Sequence, residues 1–235
     1  MLYPLSYEGE GPRGLAPSGC AWPWIFHVER GVYYRDTRWY ISRMDTGRTW
    51  EGRALAALAE QLQAAGDHFE LAVVGGSALI ALGLVDRATK DVDVVGLLSG
   101  DGLSSAEPLP EALALAVARV ARDLGLPGDW LNSGPAALLD LGLPEGFLDR
   151  VHRVEIGPGL VLLYADRYDQ IHLKLYAMVD HARGRHEEDL RALEPTAEEL
   201  LAAARWTISH DPSAGFRAQL LLVLAKLGVD DAAFD

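Results

Sequence analysis

The stretch VVGGSALIALGLVDRATKDVDVVG, residues 73–96, most constrains what this chain folds into. The short apolar run at residues 71–74 predicts a buried strand. Gly75 and Gly76 then predict a sharp turn that a ligand can approach closely, because no side chain stands in the way. Ser77 is predicted to cap a short helix behind this turn. Free backbone amides and the helix dipole both favour an anion there, so the pattern predicts a phosphate site.

Two carboxylates follow on the next predicted strand, within the sequence DVDVV. Side chains alternate along a strand, so Asp91 and Asp93 are predicted to share one face. Neighbouring carboxylates repel each other unless a cation lies between them, and such hard oxygen ligands suit Mg²⁺ that substrate phosphates also hold. The alternative is a plain turn followed by a solvated strand face. The stretch is neither a P-loop nor a dinucleotide-binding fingerprint, since it lacks the residues that each requires.

Three segments carry a resemblance to a known superfamily. GGS, a short helix and R-x-T-x-D-x-D resemble the core signature of the nucleotidyltransferases with the DNA polymerase β-like fold. The segment DQIHLKLYAMVDHARGRHEEDLRAL resembles the C-terminal signature of a bacterial branch that contains the toxins of type IV toxin–antitoxin, or abortive-infection, systems. LPEGFLDRV is similar to a segment in members of that branch. The resemblance covers about residues 55–228 and implies an α/β (α+β) fold with a small mixed sheet, flanking helices and a C-terminal helical unit.

The resemblance also implies an activity, which is transfer of an NMP from an NTP to an acceptor hydroxyl with Mg²⁺ as cofactor. The implied acceptor is an RNA 3′ end, such as that of tRNA, or a protein, and a neighbouring antitoxin protein is an implied partner. A third metal carboxylate is expected from a later strand, with Glu155 and Asp166 as the candidates. The implied site residues are catalytic Asp91, Asp93, Lys174 and Asp189, metal-binding Asp91 and Asp93, and nucleotide-binding Gly75, Gly76, Ser77, Arg87 and Thr89.

Besides the predicted phosphate site and the carboxylate pair, Lys174 is a candidate for the site, and it lies in a predicted helix at residues 169–184. Ile171, Ala177 and Met178 share its helix face, so the lysine is predicted to project toward the core. A buried lysine is unfavourable unless it meets an anion, and a triphosphate or the metal-site carboxylates are candidates. The alternatives are a lysine that extends to solvent at the helix edge or one in a structural ion pair. Asp189 is expected to orient Lys174, to contact substrate, or to cap the next helix.

Composition narrows the class of protein. The only cysteine among the 235 residues is Cys20, so no internal disulfide is expected and a cytoplasmic location is predicted. No signal peptide and no apolar run of membrane-spanning length is found, so no membrane partner is expected. The net charge of −13 argues against a broad nucleic-acid surface and better fits a small hydroxyl compound, such as an antibiotic, as acceptor. A non-catalytic protein that binds nucleotide or a partner is the alternative from another class.

The chain is predicted to have three parts: an irregular and partly disordered N-terminal segment at residues 1–49, a nucleotidyltransferase core at 50–168 and a C-terminal helical region at 169–235. The first part is interpreted as a hairpin turning near Arg30 and Gly31, or alternatively as a largely disordered segment before a true start at Met44.

Further elements are predicted from local patterns. Helices are predicted to end at Gly66 and Gly125, a capping box is predicted at Thr196, and another helix is predicted to start at Asp211. Residues 97–110 are predicted to be a loop, because they are rich in Gly, Ser and Pro.

Overall fold

The computed structural model describes residues 26–29, 32–35, 49–100, 102–181 and 185–229. The chain divides into two units, Met1–Asp36 and Thr37–Asp235. In the first unit, strands β1 (Phe26–Glu29) and β2 (Val32–Arg35) pair antiparallel, which confirms the predicted hairpin. The predicted start at Met44, and the disorder predicted before it, lie outside the described residues.

A six-stranded mixed sheet organises the second unit and confirms the predicted fold class. The strands are β3 (Phe69–Val74), β4 (Val92–Ser99), β5 (Gly102–Ser105), β6 (Leu131–Asn132), β7 (His152–Gly157) and β8 (Leu160–Tyr164). They follow the order β5-β4-β3-β8-β7, with β6 beside β4. The parallel partner of β3 is β8, whereas its antiparallel partner is β4.

Helices flank this sheet, and several begin or end where the local patterns predict. The first and third helices end at Gly66 and Gly125, and the eighth begins with the predicted capping box of Thr196 and Glu199. A 3₁₀ turn at Gly134–Ala136 precedes the fourth helix. The helices are α1 (Trp50–Ala65), α2 (Gly75–Ala81), α3 (Glu111–Leu124), α4 (Ala137–Leu141), α5 (Phe147–Arg150), α6 (Arg167–His181), α7 (His186–Ala192), α8 (Ala197–His210) and α9 (Ala214–Lys226).

Three hydrophobic clusters hold the described elements of the second unit, and two of them are large. One lies between the sheet and helices α1 and α3, and it contains Trp130, whose indole nitrogen donates a 3.1 Å hydrogen bond to the carbonyl of Val117. The other joins helices α6 to α9 and includes the fully buried Leu79 of α2. A buried leucine contributes roughly 1.5–3 kcal/mol, so Leu79 anchors the short helix behind the glycine turn to the C-terminal helices.

Two local predictions were wrong. Residues 97–110 are not all loop, because β4 continues to Ser99 and forms a hairpin with β5. The side chains of β5 are half-buried or exposed, so this strand rests on backbone pairing and shows no apolar alternation. The last helix begins at Ala214 rather than Asp211, with Ser213 accepting a hydrogen bond from the amide of Phe216.

In the part of the chain that the structure describes, no helix has both the length and the apolar character needed to cross a bilayer.

Candidate active site

Gly75 lies in contact with one of the two predicted metal carboxylates. It begins α2 directly after β3, and Val74 at the end of β3 is paired with Asp93 of β4. Its φ of +73° is a backbone conformation that favours glycine. A β-carbon at this position would lie only 2.6 Å from Oδ2 of Asp93. Glycine is therefore required here both by the backbone and by the carboxylate beside it.

Gly76 is covered by the loop that leads into β4. A β-carbon on this glycine would lie 3.0 Å from Oγ1 of Thr89 and 3.2 Å from Nη2 of Arg87. Thr89 is buried, and its hydroxyl donates to the carbonyl of Asp91 at 3.2 Å. The second glycine thus lets this loop pack against the bend and set the position of Asp91.

Ser77 does not cap α2, so that prediction was wrong. Val74 holds the cap position without a side-chain hydrogen bond, and Ser77 lies within the first turn of α2. Its side chain is fully buried, and its hydroxyl donates to Oε1 of Glu51 on α1. Burial raises the pKa of Glu51 to about 7, and the Ser77 hydrogen bond opposes this rise only in part. The backbone amide of Ser77 lies in the first turn of α2, where amides lack intrahelical partners.

The two aspartates repel each other, as the sequence predicted. Asp91 immediately precedes β4, and Asp93 is the second residue of that strand. Burial first, and then the charge of Asp91, raise the pKa of Asp93 above its ordinary value, while Asn132 and Lys174 lower it by less. A partly buried carboxylate pair with this mutual repulsion is a donor set that fits Mg²⁺, which proteins hold through one or two carboxylates together with substrate phosphates.

Asn132 is a neighbour of Asp93 that the sequence did not predict. Strand β6 pairs parallel with β4, and this pairing sets Asn132 opposite Asp93. The Asn132 amide nitrogen donates to Oδ1 of Asp93 at 3.2 Å. Its amide oxygen accepts from the backbone nitrogen of Gly134 at 2.8 Å, which fixes the direction of the amide. Asn132 therefore orients Asp93 with Oδ2 against the glycine bend.

Lys174 and Arg87 share the carboxylate of Asp189. Lys174 is buried on α6, and its ammonium nitrogen lies 2.7 Å from Oδ2 of Asp189. Arg87 donates from Nε and Nη2 to the same carboxylate at 3.0 and 2.9 Å. Burial alone would raise the pKa of Asp189, but the hydrogen bonds from Arg87 and Lys174 outweigh it and hold the pKa below its ordinary value. Of the three roles expected of Asp189, orientation of Lys174 is the one that the geometry fits.

Neither candidate for a third metal carboxylate joins the pair, and this expectation was wrong. Glu155 is exposed on the edge strand β7, and strands β3 and β8 lie between it and β4. Asp166 lies 2.8 Å from Nε2 of His152 and accepts from the amide of Tyr168 at 2.9 Å. Among the residues that the structure describes, no group of three or more His, Cys, Asp or Glu side chains is arranged to hold a metal ion.

Three of the nine predicted site residues, Gly75, Asp93 and Lys174, line a cavity of about 500 Å³, and the other six, Asp91 among them, do not. Asp189 acts on the cavity through Lys174, and Arg87 acts through Asp189. The size and the mixture of apolar walls with a few polar groups are typical of a small-molecule site. The remaining lining is largely apolar and includes Pro135, Ala137, Leu138, Leu141, Leu173, Tyr176 and Ala177.

The glycine bend contacts Asp93 of the carboxylate pair, and the buried Lys174 lines the same cavity. Residues 53–192 match the model of a family described as "Nucleotidyltransferase of unknown function (DUF6036)". This match covers more than half of the chain, so the protein belongs to that family. The match supports the resemblance to the nucleotidyltransferase superfamily, and the toxin branch stays a prediction. No curated protein and no solved structure gave a match to the chain.

Proposed function

We propose that the protein transfers an NMP from an NTP to an acceptor hydroxyl. The observation that carries this proposal is the contact of Asp93 with the bend at Gly75, in a cavity that Lys174 also lines. The acceptor hydroxyl releases its proton to water, its oxygen forms a bond to the α-phosphorus, the bond from that phosphorus to the bridging oxygen breaks, and pyrophosphate leaves. Such transfer depends mainly on positioning of the reactants and on stabilisation of their charge, so the protein itself needs to form no covalent bond.

The backbone of Gly75 and Gly76 and the amide of Ser77 approach the phosphates in this proposal. Lys174 places a positive charge in the cavity, and Asp189 holds its ammonium group at 2.7 Å. Asp189 also binds Arg87, so two cations share one carboxylate, and this group of three side chains keeps one net positive charge for a triphosphate. Thr89 and Asn132 position Asp91 and Asp93, respectively.

Asp91 and Asp93 are the residues that would hold Mg²⁺. When bound, this ion neutralises phosphate charge and stabilises the attacking and leaving oxygens. Burial and then the charge of Asp91 raise the pKa of Asp93, and binding of the ion would relieve the second of these causes. The missing third carboxylate is compatible with this role, because substrate phosphate oxygens and water supply the remaining ligands in many Mg²⁺ sites.

The acceptor in this proposal is an RNA 3′ end, such as that of tRNA, or a protein, and the protein acts as the toxin of a toxin–antitoxin pair. Support for the toxin role comes from the resemblance of the segment that carries Lys174 and Asp189. Expression of the wild type is then expected to arrest growth, and Asp93→Ala is expected to abolish the arrest. Arrest that persists in Asp93→Ala would exclude a catalytic toxin.

The decisive experiment incubates the purified protein with each labelled NTP, Mg²⁺ and a total RNA pool. Label is expected to enter RNA with the wild type and not with Asp93→Asn. Glu155→Gln is the matched control, because it neutralises an exposed carboxylate on the far edge of the same sheet. NTP binding without transfer to RNA, protein or a small hydroxyl compound would contradict the enzyme and favour a non-catalytic nucleotide-binding protein.

A small hydroxyl compound is the second candidate acceptor. The net charge of −13 favours it, because a nucleic-acid acceptor meets repulsion from an acidic protein. The two acceptors differ in their dependence on salt. Transfer to RNA is expected to quicken as ionic strength rises, because salt screens this repulsion, whereas transfer to a neutral compound should change little.

A further inference from the structure

A second cavity, of about 510 Å³, lies beside the first turns of α6. The segment LPEGFLDRV supplies three of its lining residues, and nucleotidyl transfer assigns that segment no role. The size suits a planar ring with its substituents. The lining consists of Pro144, Glu145, Arg150, Tyr168, His172 and Trp206.

Three ring side chains form one wall of this cavity. The ring centroids of Tyr168 and His172 are 4.4 Å apart, and those of His172 and Trp206 are 5.8 Å apart with planes at 72°. The indole nitrogen of Trp206 donates to the carbonyl of Gly142 at 3.2 Å, which fixes the indole in place. Rings that are held in this way offer faces on which a planar heteroaromatic group can stack.

Arg150 is held rigidly at the same cavity. It donates from Nε and Nη2 to the fully buried carboxylate of Asp169 at 3.1 and 2.6 Å. The centre of its guanidinium group lies 4.9 Å from the centre of the Tyr168 ring. Among the described residues neither hydrogen bond uses Nη1, which leaves that nitrogen to donate to a ligand. A guanidinium group fixed by a paired carboxylate is suited to directional recognition.

The charges at this cavity disfavour a phosphate. Asp169 balances the charge of Arg150, and the exposed carboxylate of Glu145 adds a negative charge. A neutral ring that offers an amino group to Glu145 and an acceptor atom to Arg150 fits better. Nucleobases carry both kinds of group, and carboxylates accept from the amino group of cytosine.

Trp206 connects the two cavities. Its ring contacts His172 of the second cavity and Tyr176 of the first, with centroids 5.8 and 5.9 Å apart. We infer that the second cavity binds an unpaired nucleobase of a single-stranded acceptor, whose hydroxyl enters the first cavity. The base stacks on Tyr168 and Trp206, and Glu145 and Arg150 contact its edge. The hydroxyl part of this inference rests on the proposed function.

The test measures binding rather than transfer. Labelled oligocytidylate and oligouridylate of equal length, both with a 3′-deoxy end, are titrated by fluorescence anisotropy at one salt concentration without NTP. Cytidylate is expected to bind more tightly than uridylate, because the amino group of cytosine can donate to Glu145. Uracil has no amino group, and a carbonyl oxygen lies on either side of its ring N–H. Tyr168→Leu is expected to weaken both oligonucleotides about tenfold, since it removes one stacking face. Glu145→Gln is expected to erase the preference, and Glu155→Gln is expected to behave as the wild type.

Equal binding of both oligonucleotides by the wild type, or a cytidylate preference that survives Glu145→Gln, would overturn the inference. Glu145 is exposed, so its variant folds even if Tyr168→Leu does not. If a tyrosine-containing peptide binds and the oligonucleotides do not, the occupant is a protein and the inference is also overturned. Failure of transfer with the expected binding pattern would reject the proposed activity alone, and normal transfer without this pattern would reject the base site alone.

Discussion

Gly75 and Asp93 are fitted to each other. Oδ2 of Asp93 lies 2.6 Å from the point at which Gly75 would carry a β-carbon, and the glycine has a φ of +73°. The carboxylate occupies the space that any other residue at position 75 would need. The bend and the proposed metal ligand therefore form one structural unit, and a change on either side alters the other.

Gly75→Ala is expected to destabilise the fold and to abolish NTP binding. The left-handed backbone costs an alanine about 1 kcal/mol, and the clash forces Asp93 to move, which adds roughly 1–3 kcal/mol. The free energy of unfolding from urea titration and the Kd for NTP would both be measured.

Gly66→Ala is the matched control for this substitution. Gly66 has a similar φ of +78°, but no atom lies within 4 Å of its would-be β-carbon. It carries the backbone cost without the clash, so it should lose about 1 kcal/mol and bind NTP normally. Equal losses in the two variants would show that Asp93 is not constrained by Gly75.

Asp93→Asn is expected to stabilise the protein without metal while abolishing transfer. The pKa of Asp93 is raised in the fold, so the ionised carboxylate costs stability as pH rises through that pKa. Asparagine removes this cost at neutral pH. Thermal unfolding without Mg²⁺ should show a higher Tm for the variant than for the wild type.

Mg²⁺ should reverse this order. Binding to the wild type is expected to add about 2.7 kcal/mol when the free ion is about 100 times its Kd, and the variant should gain much less. A variant that gains as much as the wild type from Mg²⁺ would remove Asp93 from the proposed metal site. Glu155→Gln serves as control and should show the wild-type response.

The strand–bend–strand arrangement was predictable because local patterns determine it. Apolar residues before Gly75, the two glycines and the alternation around Asp93 each report on neighbours within a few residues. The pairing of Lys174 with Asp189 followed from a resemblance, since periodicity alone indicated burial of Lys174 and not its partner. Only the strand–bend–strand prediction concerns residues whose environment is set nearby in sequence.

The partners that the sequence missed come from distant parts of the chain. Glu51 lies in the first turn of a helix, where the helix dipole favours an acidic residue, so its position in the sequence does not indicate burial. Only its packing on Ser77 buries it. Asn132 stands in an irregular segment, and its two-residue strand shows no pattern until it pairs with β4. Nothing in the sequence around Trp206 predicts that its ring contacts His172 on another helix.

Lys174→Met is expected to lower kcat/KM for NTP about a hundredfold, because it removes the charge that would stabilise the transferring phosphates. Arg87 still donates two hydrogen bonds to Asp189, so the variant should fold. Lys226→Met is the control, since Lys226 is an exposed lysine that pairs with Glu187. Steady-state kinetics with RNA acceptor in excess would measure the effect. A loss below threefold would exclude Lys174 from the transfer step.

Glu51→Gln is expected to flatten the dependence of stability on pH. Burial raises the pKa of Glu51 to about 7, so the folded state keeps a proton that the unfolded chain releases at its ordinary pKa near 4.5. The contribution of Glu51 to stability is full below pH 4.5 and is lost as pH rises to about 7, in total roughly 3 kcal/mol. Glutamine keeps an acceptor for Ser77 and carries no charge, so the variant should be more stable than the wild type at pH 8 and similar at pH 5.

Glu60→Gln is the matched control for Glu51→Gln, because Glu60 is exposed on the same helix. Urea unfolding at half-unit steps from pH 5 to pH 8 would give both profiles, and the control should follow the wild type.

The same titration reports on the glycine bend, because the hydrogen bond from Ser77 joins Glu51 to α2. Ionised Glu51 still accepts that hydrogen bond, so NTP affinity should change little while stability falls. Parallel profiles for the wild type and Glu51→Gln would mean that solvent reaches the carboxyl and that its burial does not control the stability of the bend.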